Sequence, residues 1–269
     1  MQDDLGDRMK DLESREAGRR LMPMLPICIR LDGRSFSRYT AKMDKPYDVL
    51  MSSVMVNVTK LLVEETNAAM GYTQSDEISL VLRQVNYESQ VYFDGKIQKI
   101  NSVLSSFASS CFNRLAETMF SEAITESLAL FDCRVWSVPN EMEAANTLVW
   151  RQKDALRNAV QGAARSVFSH KECQDKNNVE LVEMLKNKGI IFNDYPDFFK
   201  QGTFVRRVKK LIELTPEQME KIPEKHRPTG PVERTVIEEV KIEDFGLAQN
   251  KVEVVFEGKT PTYITVKDP

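Results

Sequence analysis

Histidine is nearly missing. Two residues of 269, His170 and His226, carry an imidazole, so neither a histidine triad nor a His-rich metal site is a natural basis for chemistry here. No apolar run approaches the roughly 20 residues of a membrane span, so no membrane partner is expected. The opening stretch Met1-Gln2-Asp3-Asp4-Leu5-Gly6-Asp7 is acidic without an apolar core, unlike a signal peptide. Cysteine is sparse: Cys28, Cys111, Cys133 and Cys173 fit neither a disulfide framework nor a zinc motif, and read as reduced packing residues of a cytoplasmic protein. The formal net charge of −3 does not advertise a nucleic-acid binder. Internal repeats and low-complexity tracts are absent.

What is present is an ordinary globular composition, 42% hydrophobic and 29% charged, in a chain long enough for one large or two modest cores. The basic residues are uneven. Arg30, Arg34, Arg38, Lys42 and Lys45 crowd one stretch, and Arg206, Arg207, Lys209 and Lys210 another; each reads as a phosphate-holding patch or a solvated face.

Periodicity organises the chain. Residues 3–21 have helical spacing with much charge, an exposed helix. Residues 26–31 read as a strand buried on both faces, with Asp32 where it stops. Asp32–Lys45 is a polar loop or short helix. From Tyr47 to Asn67 apolar residues recur at three- and four-residue steps, a helix. Ala69–Gln74 and Glu77–Arg83 form a hairpin around Ser75-Asp76. Val91-Tyr92-Phe93 suggests a short extra strand, Lys96–Phe120 a second long helix, and Ala129–Val138 a fourth strand. Asn140–Phe168 is a helix that Gly162 interrupts or tightens. Asn178–Lys188 is a helix closed by Gly189, and Gln201–Val205 a turn and strand. Leu214–Gly230 is mostly extended or loop, and strands at 232–241 and 251–257 close the chain.

The β-α-β-β-α-β order of residues 26–138 is that of a ferredoxin-like α+β sheet. In it strand one lies between strands three and four, with strand three antiparallel. Asp32 at the end of one strand and Asp76 at the start of the other therefore converge on one edge. Two carboxylates so placed repel unless a cation lies between them. Oxygen ligands favour Mg²⁺, and Gly33 would let the backbone approach and add its carbonyl. That is the arrangement of a two-metal phosphoryl- or nucleotidyl-transfer site.

At these motifs the sequence resembles the tRNA-His guanylyltransferase family, enzymes that add nucleotides to RNA in the 3′-to-5′ direction. The matching residues are Arg30-Leu31-Asp32-Gly33-Arg34-Ser35-Phe36, Lys45-Pro46-Tyr47-Asp48, Gln74-Ser75-Asp76-Glu77, and Trp150-Arg151-Gln152 with Asp154 and Asn158. Leu156-Arg157-Asn158-Ala159 stands where eukaryotic members carry His-Ile-Asn-Asn, and Ser37 where they have a histidine. Phe168-Ser169-His170-Lys171 and Asn193-Asp194-Tyr195-Pro196 look instead like the bacterial and phage guanylyltransferase-like branch, which resembles template-dependent 5′-end repair enzymes.

The resemblance implies a polymerase-type palm over 1–139, a helical finger-like region over 140–210 and a C-terminal extension over 211–269. It makes Asp32, Asp76 and Glu77 catalytic, with Asp32, Asp76 and the Gly33 carbonyl binding two Mg²⁺. Arg30, Asp32, Gly33, Arg34, Ser35, Phe36, Ser37, Lys45, Asp48, Ser75 and Asp76 would surround the nucleotide, and Arg151, Arg157, Asn158, His170 and Lys171 are candidates for RNA contact. It implies ATP or GTP to activate a 5′-monophosphate RNA end, tRNA or a tRNA-like RNA and nucleoside triphosphates as partners, and a homotetramer.

Plainer readings stand beside these. Glu77 either supports the site or faces solvent, His170 is a surface residue or an RNA contact, and Trp150 and Phe107 read as core residues on apolar helical faces. A palm-fold nucleotide cyclase acting on triphosphate without RNA is the chief alternative. A non-catalytic RNA-binding module ranks third, because Ile27–Leu31 and Glu77–Leu82 offer no aromatics for bases to stack on.

Overall fold

Ile27, Ile29 and Leu31 point to one side of the first strand and Cys28 to the other, all within 5% of complete burial, and the rest of the fold is assembled on that strand. The computed structural model describes residues 4–89 and 91–263. In chain order its elements are α1 (Asp4–Ala17), β1 (Ile27–Gly33), α2 (Phe36–Tyr39), α3 (Val49–Thr66), β2 (Met70–Gln74), β3 (Glu77–Leu82), α4 (Ile97–Met119), α5 (Glu122–Thr125), β4 (Phe131–Ser137), α6 (Glu141–Arg165), α7 (His170–Cys173), α8 (Asn178–Asn187), α9 (Asp197–Gln201), β5 (Thr203–Ile212), α10 (Pro216–Glu220), β6 (Val232–Val240) and α11 (Lys251–Phe256). Asp3, the first residue of the expected N-terminal helix, lies outside the described residues.

The strands form one sheet in the order β4-β1-β3-β2-β5-β6, and every neighbouring pair is antiparallel. The expected β-α-β-β-α-β unit is thus present with β1 between β3 and β4, and β5 and β6 extend the sheet beyond β2. Alternation along the strands sends two residue sets to opposite faces. Ile27, Ile29, Leu31, Ile78 and Leu80 join α3 and α4 in one core, while Cys28, Met70, Tyr72, Val81 and Phe204 join α6 and α11 in a second. A third cluster lies on the far half of α6, where Ala159, Val160, Ala163 and Ala164 meet Leu181, Leu185, Phe192 and Phe199.

Four expectations need correction. Tyr92–Gly95 is a 3-10 turn rather than a strand: Phe93 and Asp94 sit at φ 47° and 54°, which no extended strand accommodates. Residues 251–256 are helix α11, because Val254 and Val255 are both buried on the same core; a strand would send neighbours to opposite faces. Leu214–Gly230 contains α10, started by a Thr215/Gln218 capping box, and a 3-10 turn at Glu224–His226. Gly162 does not interrupt α6, which runs through it to Arg165; a Cβ there would lie 3.9 Å from the Phe199 ring, ordinary contact.

Candidate active site at the carboxylate edge

Asp32 occupies the last-but-one position of β1, directly opposite Glu77, the first residue of β3. The two-residue turn Ser75-Asp76 joins β2 to β3, with Ser75 in the left-handed region at φ 54°. Gly33 N–H donates to the Asp76 carbonyl at 3.1 Å, tying the end of β1 to that turn. The two aspartates therefore meet on one sheet edge, as the topology requires. Burial pushes the Asp76 carboxyl above its ordinary range and the charge of Asp32 adds to the rise, against hydrogen bonds from its own backbone N–H and the Ser75 hydroxyl. This is an electrostatic load that a bound cation would relieve.

Gly33 is demanded by space. Its backbone has no positive φ, but a Cβ would lie 2.3 Å from the Phe36 ring. That ring is 3% exposed and packs against Tyr39, Phe112 and Phe131 at centroid distances of 5.2, 5.4 and 5.0 Å. Phe36 is therefore a core residue, and only its backbone faces the loop. Around it Arg34, Ser35, Ser37 and Arg38 are exposed, an open basic rim beside the aspartates.

Glu77 is held rather than free. Arg151 of α6 donates to it through Nε at 2.5 Å and to Asp154 through Nη2 at 2.8 Å, and the Arg30 Nε lies 4.0 Å from the other Glu77 oxygen. Burial still raises the Glu77 carboxyl, with Arg151 and Arg30 opposing that rise. Arg151 has a side chain only 10% exposed, so it braces Glu77 and is not presented to RNA. Arg30 keeps a buried Nε without a hydrogen-bond partner, an unspent donor beside the carboxylates.

Lys45, Asp48 and Ser75 line one cleft together with Thr40, Met43, Tyr47, Met51, Met55, Gln74, Phe198 and Phe199. The cleft together with the open solvent at its mouth spans about 650 Å³, and Ser75 places its wall one residue from Asp76. Asp48 already caps α3 through Met51 N–H at 2.9 Å, and Lys45 Nζ donates to the Thr40 carbonyl at 3.0 Å. The apolar lining from α3 and α9 was not singled out by motif reading. Met51 and Met55 lie in the α3 helix on no recognisable motif, and Phe198 comes from a distant segment.

The remaining candidates are dispersed. Arg157 pairs with Asp154 and, like Asn158, is exposed on α6. His170 and Lys171 begin α7, beyond the end of α6 and about 21 Å of helix past Arg151; nothing brings them to the carboxylates. Trp150 overturns its core assignment: it is 48% exposed, with the Arg30 and Arg151 guanidinium carbons 5.4 and 4.5 Å from its ring centroid. No cluster of three or more His, Cys, Asp or Glu side chains able to cage a metal occurs among the described residues, and no described helix is long and apolar enough to cross a membrane.

Comparison with known proteins gives matches both by sequence and by fold. Residues 6–139 match the family model described as tRNAHis guanylyltransferase. A similar chain is an uncharacterized protein of Acanthamoeba polyphaga mimivirus, 32% identical over 77% of this chain and 78% of the relative. Among solved structures, a bacterial tRNA(His) guanylyltransferase-like protein in complex with ATP superposes with a TM-score of 0.71 at 31% identity, covering 76% of this chain and 87% of that one. A bacterial guanylyltransferase-like protein in complex with GTP gives 0.68 at 27% identity, over 88% and 91%.

Proposed function

Since the chain belongs to the tRNA(His) guanylyltransferase family of nucleotidyltransferases, we propose that it adds nucleotides to the 5′ end of tRNA or a tRNA-like RNA in the 3′-to-5′ direction. The observation that carries this reading is the convergence of Asp32 and Asp76 on one edge, locked by the Gly33–Asp76 backbone bond. In this reading β1–β4 serve as a polymerase palm, and α6 to α9 as the finger-like region over the cleft.

The donor set fits a hard divalent cation. Asp32, Asp76 and the Gly33 carbonyl offer only oxygen, and two carboxylates leave the other positions to water and phosphate, as Mg²⁺ prefers. Two such ions would align the attacking and leaving oxygens and neutralise charge developing on the phosphates. The chain's own groups do the rest. The open cleft between α3 and α9 takes the base and sugar of a nucleoside triphosphate, its methionines and aromatics excluding water. Lys45, Arg34 and the Ser35–Ser37 loop face the triphosphate, and Arg30 contributes its unpartnered N–H. Glu77, fixed by Arg151, holds the β1–β3 edge in register instead of transferring a proton.

The 5′-monophosphate end then attacks the α-phosphorus of ATP or GTP with loss of pyrophosphate, and the 3′-hydroxyl of an incoming triphosphate attacks the activated 5′-phosphorus, displacing AMP or GMP and giving up its proton to solvent. Ser37 and the Leu156–Ala159 stretch favour the template-dependent repair form of this activity over strict guanylylation of tRNA-His. A tetramer would let one subunit hold RNA that another extends. The deciding experiment incubates a tRNA transcript lacking its first nucleotide, with a 5′-monophosphate, together with Mg²⁺, ATP and all four triphosphates. Complementary 5′ extension by the wild type, reduced at least about 1,000-fold in Asp32→Ala and Asp76→Ala, is the expected result. Addition of guanosine alone on tRNA-His would narrow the role. Metal-dependent triphosphate turnover with no RNA extended would transfer the assignment to a cyclase-like enzyme.

A further inference from the structure

Trp150 is placed as no packing role explains. Along α6 the helical face toward the sheet carries Ala144, Leu148, Gln152 and Ala155, all buried, and Trp150 lies off that face with nearly half its surface open. Its ring is nonetheless fixed. Arg151 grips Glu77 and Asp154, and the Arg30 guanidinium lies against the indole, so both cations ordering the ring are themselves tied to the carboxylate edge. Arg30 and Asp32 are two residues apart on one face of β1, about 7 Å along the strand.

We propose that Trp150 is a stacking shelf for a nucleobase at the 5′ end of the RNA substrate, held flat by Arg30 and Arg151 beside the Asp32–Asp76 edge. The inference deepens the nucleotidyltransferase reading and rests on it. Three features point to a base. A planar, rigid, half-open indole is the side chain on which bases of any identity stack. The guanidinium groups beside it hold the indole plane in one orientation through cation–π contact. The third is position: the cleft that suits a free triphosphate lies at Ser75 and Lys45, on the β2 side of the carboxylates, whereas Trp150 stands on the α6 face over Arg30. Two substrates that must meet at the carboxylates thus have separate approaches, and the RNA end takes the one with Trp150.

The chain has only two tryptophans, Trp136 and Trp150, which makes the shelf directly observable. Trp136 sits on β4 opposite Cys28, packed against the second core, and Trp136→Phe leaves Trp150 as sole indole emitter. In that background the truncated 5′-monophosphate tRNA should quench Trp150 emission, the same RNA with an abasic first residue should quench much less, and ATP or GTP alone should not. In extension assays Trp150→Leu should raise KM for RNA by about 5- to 100-fold with KM for triphosphate unchanged, and Trp150→Phe should recover most of the loss.

Equal KM for RNA in the wild type and Trp150→Leu, with no quench on RNA binding, would overturn the shelf while extension by the wild type upheld the enzyme reading. Quenching by mononucleotide alone would overturn the assignment to RNA. If the wild type extends no RNA at all, the enzyme reading has failed, and the shelf with it.

Discussion

Asp76 carries the cost of the site in its own ionisation. A carboxyl pushed up by burial and by the neighbouring Asp32 charge is harder to ionise in the fold than in the unfolded chain, whose reference value is 3.8. The sign follows from linkage: the penalty is in full force above the folded pKa and fades as falling pH protonates the group. Asp76→Asn should therefore stabilise the metal-free protein by about 1 kcal/mol at pH 8, and by less at pH 4, close to the ordinary carboxylate value, in urea unfolding with a chelator present. The same variant should lose the Mg²⁺-dependent rise in Tm expected of the wild type under the proposed function. A variant less stable than wild type at both pH values would contradict this electrostatic account. At this scale Asp32, Gly33 and Asp76 were legible because topology alone places them together. The side-chain surroundings of Phe36 and Arg151 were not legible: their sequence neighbours are candidate site residues, while their own side chains serve an aromatic cluster and an internal ion pair.

The element that couples site to scaffold is α6. Three consecutive residues leave it about 100° apart: Trp150 toward solvent beside Arg30, Arg151 toward Glu77, and Gln152 into the interior. Gln152 is 6% exposed; its amide N–H groups donate to the Ile242 and Glu243 carbonyls at 3.3 and 2.6 Å, and its oxygen accepts from Phe245 N–H at 2.8 Å. It thereby fastens the segment between β6 and α11 to the same helix that braces the site. Gln152→Leu leaves three backbone groups unsatisfied and should cost about 3 kcal/mol, with limited proteolysis opening first beyond residue 241. Uniform protection of that segment in the variant would refute the clamp. The long helices and central strands were readable because their apolar spacing is strong over many residues. The short C-terminal elements were not, since six residues such as Lys251–Phe256 suit a strand or a helix equally until a partner surface selects one.

As a whole the molecule is mildly acidic, yet its carboxylate edge is bordered by Arg34, Arg38 and Lys45, all exposed. A negative net charge gives no long-range attraction to RNA, so the proposed RNA binding would draw on this local patch and on stacking. Affinity for the truncated tRNA should fall with salt at a slope of about −3 in log K against log concentration, the release expected for three to five phosphates. A much steeper slope would mean that a larger surface, such as the Arg206–Lys210 strand, carries the RNA. The βαββαβ core was predictable from element order, whereas the addition of β5 and β6 to its edge was not, because pairing between distant strands leaves no local trace in sequence.

The division of labour among Trp150, Arg151 and Gln152 also sets where the chain tolerates changes of length. One residue inserted between Asn140 and Trp150 would turn the rest of α6 by about 100°, swinging all three side chains off their partners at once. The Leu214–Gly230 connection carries no such rotational phase, so natural or engineered length variants should collect there and be purged from the first half of α6.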